Sequence, residues 1–277
     1  MASGTTPSTP TRTQRLFPLT RKALQWVQQW LTGTLALTGQ LVLMGVQAGT
    51  FIIKGRTNPK KWLDEMGHIA TDALSMGMIL VVVSSAVIAL QVSQEMVNQG
   101  GETFVGALIA IALIRELGPI MSAVGLAAVM GTAYASEIAT MNSEQQIDAL
   151  RVFNIDPIRY VVVPRLLAGM TGLPAITLLT TVVGILAGMV VSEYFAEVQP
   201  HVFLDSVWQH TKIADVWKLL LKATIFGYLV ALISTTVGYN SKGSARDVGI
   251  ATTQAVVISF VIVSIADYLL TYALYSD

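Results

Sequence analysis

RELGPIMSAVGLAAVMGTAYASEIATMNSEQQIDALRVFNIDP, residues 115–157, decides how the chain is read. It opens with adjacent Arg115 and Glu116 inside apolar sequence and closes in a polar, helix-forming segment that separates two long hydrophobic blocks. Charges at such a depth are expensive in lipid and require partners, another helix or water. Around this stretch the chain has 277 residues, of which 53% are hydrophobic and 12% charged, and its mean hydropathy is +0.62. An ordinary soluble domain carries roughly 25% charged residues. The composition is that of an integral membrane protein, and because no period-two alternation runs through the apolar blocks, helices are expected and not a barrel.

Outward from the opening stretch, five apolar blocks are long enough to span: 73–97, 104–135, 158–191, 216–237 and 251–275. An earlier block, 31–53, has four glycines together with Gln40 and Gln47, and basic residues flank it on both sides. An interfacial hairpin that enters and returns therefore fits it better than a crossing. The segment 16–30 places Trp26 and Trp30 beside Arg21 and Lys22, as a helix lying in the membrane interface would. The expected organisation is all-α: a disordered tail over 1–15, an interfacial helical element over 16–72, and a five-helix transmembrane domain over 73–277. Arg151, Arg159, Arg165, Lys242 and Arg246 mark inner ends, which puts the N-terminus in the cytosol and the C-terminus on the outer side. Lys212, Lys218 and Lys222 stand out as cations near an outer end, where snorkelling would carry them to the headgroups.

The block 104–135 would form a helix of about 48 Å, longer than the hydrocarbon core requires. Pro119 supplies a kink, and the carbonyl it leaves without a donor belongs to Arg115. Arg115 and Glu116 are compatible with an inter-helix ion network that locks the bundle, and equally with the wall of a cavity facing a substrate headgroup. The first strong span ends in QVSQEMVNQ, where Gln91, Glu95 and Asn98 share a face and Gln94 and Gln99 widen it into a polar stripe suited to a wet vestibule. Asp267 lies deep in the last span and needs a partner, for which Arg115 is the nominee.

Between the second and third spans, Ser143 and Gln146 spell the capping box S-x-x-Q, and Ile147, Leu150 and Phe153 recur at three-residue spacing. Asn154 and Ile155 end that helix, and Asp156 with Pro157 begins the next. This is an interfacial connector or, held rigidly between two long helices, a docking element through which a cytosolic motor acts. No G-x-x-x-x-G-K-[ST] phosphate loop occurs, His68, His201 and His210 lack metal-ligand spacing, and no hydrolase motif is present. Zero net charge gives no reason to expect nucleic acid, and the chain has no cysteine.

RELGP at 115–119, SEIATMNSEQQIDAL at 136–150, and DPIRYVVVPRLLAG at 156–169 followed by LP at 173–174 resemble the MlaE family of permeases, which includes the plastid TGD-type lipid permeases. The resemblance covers roughly residues 54–274. It implies the non-enzymatic membrane subunit of an ABC transporter that moves phospholipids between a cytoplasmic or inner envelope membrane and an outer membrane. It further implies a homodimer, a cytosolic ABC ATPase dimer that holds ATP and magnesium, and an MCE-domain protein on the outer side. This chain itself would carry no cofactor and no metal.

By the same resemblance, the coupling helix falls on 137–153, with Glu137, Met141, Glu144, Ile147, Asp148, Leu150, Arg151 and Phe153 facing the ATPase. The lipid pocket would draw on Gln91, Glu95, Met96, Gln99, Arg115, Glu116 and Leu117, and the block 31–53 would belong to the interfacial element. QVSQEMVNQ is more polar than the pocket of the family. The competing reading is a secondary transporter driven by an ion gradient through Arg115, Glu116 and Asp267, which would work without an ATPase.

Overall fold

In the computed structural model the described residues are 35–55, 57–241 and 244–276, and all regular structure among them is helical. We number the helices α1 Leu35–Ile53, α2 Pro59–Asn98, α3 Glu102–Ser143, α4 Gln146–Val152, α5 Ile158–Ala196, α6 Pro200–His210, α7 Ile213–Tyr239 and α8 Ala245–Tyr275. Six of these, all except α4 and α6, are long and apolar enough to cross a membrane, so the chain is an integral membrane protein. The expected tail and interfacial helix over 1–34 lie outside the described residues. The part of the 31–53 block that is described forms one uninterrupted helix, with no reversal of the kind a hairpin needs.

Two compact units divide the chain, Met1–Leu43 and Met44–Asp277. In the first, the described residues are the opening half of α1. In the second, the rest of α1 buries Met44 and Ala48, and the Met44 sulfur accepts a hydrogen bond from Thr236 Oγ1 at 3.2 Å. The expected boundary at 72/73 falls inside α2, which is continuous from Pro59 through a π-helical turn at Ile69–Ala73. Asn58 accepts from Lys61 N–H and Pro59 occupies the first turn, which explains why the helix starts there.

Small residues govern the packing, as expected where lipid removes the usual hydrophobic drive between helices. Along α2, Gly77, Val81, Ser85, Ala89 and Ser93 recur every four residues and are buried; Ser85 Oγ donates to the Gly184 carbonyl of α5 at 2.6 Å. A close crossing with glycine on both sides joins α5 to α7. A Cβ on Gly169 would stand 2.5 Å from the Gly227 carbonyl oxygen, and one on Gly227 would lie 2.1 Å from that of Gly169. Only hydrogen fits on either backbone there. The 193–213 loop contains an unanticipated helix, α6, whose start is signalled by Pro200 and whose Phe203 is fully buried in the core.

Candidate functional site

Two buried charge clusters and a short capped connector stand out. The first cluster is built where α3 is kinked. Pro119 cannot donate to the Arg115 carbonyl, the helix takes a π turn over Leu113–Leu117, and Lys222 Nζ of α7 donates to that carbonyl at 2.7 Å. Lys222 has 0% of its surface exposed. Its ammonium also stands 3.2 Å from Glu116 Oε2, 2.8 Å from Asp267 Oδ1 and 2.8 Å from Thr271 Oγ1, and Thr271 in turn donates to Glu116 Oε1 at 2.8 Å. Three helices are thereby held together through one side chain.

The partner of Asp267 is therefore Lys222, and the nomination of Arg115 is corrected. Arg115 reaches Asp215 at 3.3 Å instead and stacks over the Tyr275 ring. Asp215 lies in the first turn of α7, where the helix dipole favours an anion. Nor does snorkelling describe the lysines of α7. Lys222 is in the core of the bundle, while Lys218 donates to the Leu274 carbonyl at 2.6 Å, one of the acceptors left open by the end of α8, and stands over Tyr275.

The residues expected to line one pocket are divided. Arg115 and Glu116 turn towards α7 and α8, whereas Leu117 and Met96 pack on the apolar cluster of Val81, Ile109 and Leu113. Gln91, Glu95 and Gln99 are exposed at the end of α2, with Gln99 Nε2 donating to Glu95 Oε1 at 2.5 Å. A cleft of about 520 Å³ does open beside the kink, but Ile114, Val182, Leu186, Leu204 and Trp208 line it.

The second cluster, missed in the sequence, centres on Arg165 in the apolar run VVVPRLLAG. Its Nη2 lies 2.8 Å from Glu137 Oε2, its Nε 3.3 Å from Glu65 Oε1, its Nη1 donates to the Val161 carbonyl at 3.0 Å, and its plane rests on Tyr134. An arginine within apolar sequence is itself a signal that partners converge on it. This places Glu137 in a link between α3 and α5, so the expected coupling helix over 137–153 is corrected: Glu137 and Met141 belong to α3, which runs on to Ser143.

The connector proper is α4. Ser143 does not cap it; its hydroxyl donates back to the Thr140 carbonyl, and Gln145, in the left-handed conformation at φ 58°, occupies the cap position. The other end follows the expected grammar. Asn154 is left-handed at φ 58°, its N–H goes to Arg151 O and that of Ile155 to Leu150 O, both at 2.9 Å, which is a Schellman closure. Asp156 then accepts from the N–H groups of Ile158 and Arg159 to start α5.

Ile147 is buried among Ile138 and Val161, with Met141, Leu150 and Tyr239 around them. Arg151 spans Asp148 at 2.9 Å and the Tyr239 hydroxyl at 2.7 Å; that hydroxyl, above all, holds its guanidinium above the usual arginine range. Asn142 donates to the Ser241 carbonyl at 2.6 Å. Glu144 and Asp148 are exposed, as are Val152 at 83% and Phe153 at 75%. Val152 had no part in the expected docking set, because the three-residue spacing skipped it.

Comparisons with known proteins agree with this architecture. The family described as Permease MlaE matches residues 62–273. A probable ABC transporter permease protein of Synechocystis is 34% identical over 250 residues, covering 90% of this chain and 92% of its own length. One of Rickettsia typhi is 37% identical over 192 residues, covering 69% and 74%. The chloroplastic protein TRIGALACTOSYLDIACYLGLYCEROL 1 of Arabidopsis thaliana is 30% identical over 235 residues, covering 85% of this chain and 65% of its own. The chain belongs to the MlaE permease family.

Proposed function

We propose that the protein is the membrane subunit of an ATP-driven ABC transporter that moves phospholipids between a cytoplasmic or inner envelope membrane and an outer membrane. The observation that carries this reading is α4: an apolar pair, Val152 and Phe153, is held in the open at the C-terminal end of a closed helix that Arg151 ties to Tyr239 at the end of α7, while Asn142 ties the adjoining end of α3 to the same place. A patch of that kind on a rigid mount suits a partner that pushes. The relatives named as ABC transporter permeases support a separate ATPase dimer as that partner, and the relative named for a galactosyl diacylglycerol supports a lipid as cargo. A homodimer with its N-termini in the cytosol, α4 on the ATPase side and an MCE-domain protein on the opposite side completes the assembly.

In this reading the Lys222 network lies beside the lipid path, and the part-buried Arg115 next to it is available to a headgroup phosphate. The test uses the intact complex in nanodiscs. Val152→Asp together with Phe153→Asp should leave the permease folded and monodisperse while the copurified ATPase falls severalfold and ATP-dependent lipid transfer is lost. Transfer that persists without an ATPase and collapses with an ion gradient would replace this reading by secondary transport through Arg115, Glu116 and Asp267.

A further inference from the structure

The cleft of about 520 Å³ between α3, α5, α6 and α7 is separate from the polar network, and its walls are apolar: Ile114, Val182, Leu186, Leu204 and Trp208. Its volume is within the range of about 300–1,000 Å³ that encloses small ligands. Polar character is concentrated at one place, the extended link between α6 and α7, where Thr211 and Lys212 join the lining. The Thr211 hydroxyl is shielded from solvent and has no hydrogen-bond partner among the described residues. Lys212 is exposed, and the Asp215 carboxylate accepts from the Lys212 backbone N–H at 3.4 Å while it pairs with Arg115.

Trp208 and Trp217, both strongly exposed, flank this link, and Trp beside Lys marks the headgroup level of a bilayer. From there the lining passes through Leu204 and Val207 of α6 and Val216 of α7 to α5 and α3. On α5 the lining is Val182, Ile185 and Leu186, a little over one turn, and on α3 it reaches Ile114, ten residues or about 15 Å of helix from Phe104, comparable with the depth of one leaflet, half of about 30 Å. One end therefore offers a cation and an unused hydroxyl at headgroup level, and the other a dry slot of acyl length.

We propose that this cleft is a binding site for an anionic phospholipid, with its phosphate on Lys212 and the Thr211 hydroxyl and one acyl chain in the slot ending at Ile114 and Val182. Occupancy there needs neither ATP nor the Lys222 network, so its failure would leave the transport reading untouched. The full-length protein in nanodiscs is exposed to phosphatidylglycerol or phosphatidylcholine carrying a photoreactive diazirine near the end of one chain, and labelled peptides are mapped.

Phosphatidylglycerol should label the peptides around 182–186 and 114 about fivefold more than phosphatidylcholine. Lys212→Glu should erase that preference, and Val182→Trp, which fills the slot, should remove labelling by both probes. Both substitutions change lipid- or solvent-facing side chains, and a monodisperse elution profile verifies that each variant is folded. Equal labelling by the two probes, or a preference that survives Lys212→Glu, would reduce the cleft to ordinary boundary lipid. Labelling that persists in Val182→Trp would overturn the placement of the chain.

Discussion

The two buried cations are held in opposite ways. Arg165 presents a planar fork to oxygens from three elements, Nη1 to the Val161 carbonyl, Nη2 to Glu137 and Nε facing Glu65 at ion-pair distance, so the guanidinium cannot turn without losing several contacts at once. Lys222 presents three N–H bonds to four oxygens, those of Arg115, Glu116, Asp267 and Thr271, and an ammonium can rotate among them. Arg165 links α2, α3 and α5 next to the connector and has the character of a fastening. Lys222 links α3, α7 and α8 at the kink and can exchange partners while remaining satisfied. The residue type at the centre thus separates a fixed joint from an adjustable one.

The contrast is broken most severely at Lys222. Lys222→Met leaves Glu116 and Asp267 without their counter-charge and should destabilise the protein by about 3–5 kcal/mol, read as a lost or strongly lowered thermal transition in detergent. Adding Glu116→Gln and Asp267→Asn removes the stranded charges as well and should recover most of that stability without recovering transport. A triple variant that transports normally would show the adjustable joint to be structural only.

Arg165→Lys keeps the charge but loses the fork, and about 1–3 kcal/mol should disappear because one carboxylate and the Val161 carbonyl lose their donor. Glu137→Gln should cost least, within about 1 kcal/mol, because the Glu137 side chain is 59% exposed and water replaces what is lost. If Glu137→Gln proved as damaging as Arg165→Lys, the fastening would depend on a charge that this geometry treats as peripheral.

How much of this was legible follows from what each residue tells on its own. Pro119 names the carbonyl it orphans, and the sequence therefore located the kink and the acceptor at Arg115; nothing local names the donor, which comes from a residue 107 positions away. For the same reason Asp267 was recognisable as needing a partner while the partner itself was misassigned. Lys222 was taken for a surface cation because hydropathy counts distance from a helix end, and only the packing of α3 and α8 around α7 removes it from lipid.

The S-x-x-Q pattern at 143–146 was correct as spelling and wrong as structure. The span before it continues about two turns beyond the apolar block that ends at 135, so Ser143 is spent on the end of α3. The Asn154 and Asp156 signals held because turn chemistry of that kind is settled within a few residues.

The π turns in α3 have an implication for its length in residues. Each inserts one residue into the helix, at Leu113–Leu117 and again at Ala127–Gly131, and so rotates everything beyond it by about 100° relative to an ideal α-helix. Tyr134, Glu137 and Ile138 meet their partners only in this offset phase. Deleting a single residue from 127–131 would let that turn revert to regular α-helix and keep Glu137 facing Arg165 and Ile138 facing Ile147, whereas inserting a residue into the regular stretch 119–125 would keep the composition of α3 almost unchanged and still swing both away. In this helix the count of residues is as much a determinant of the fold as their identity.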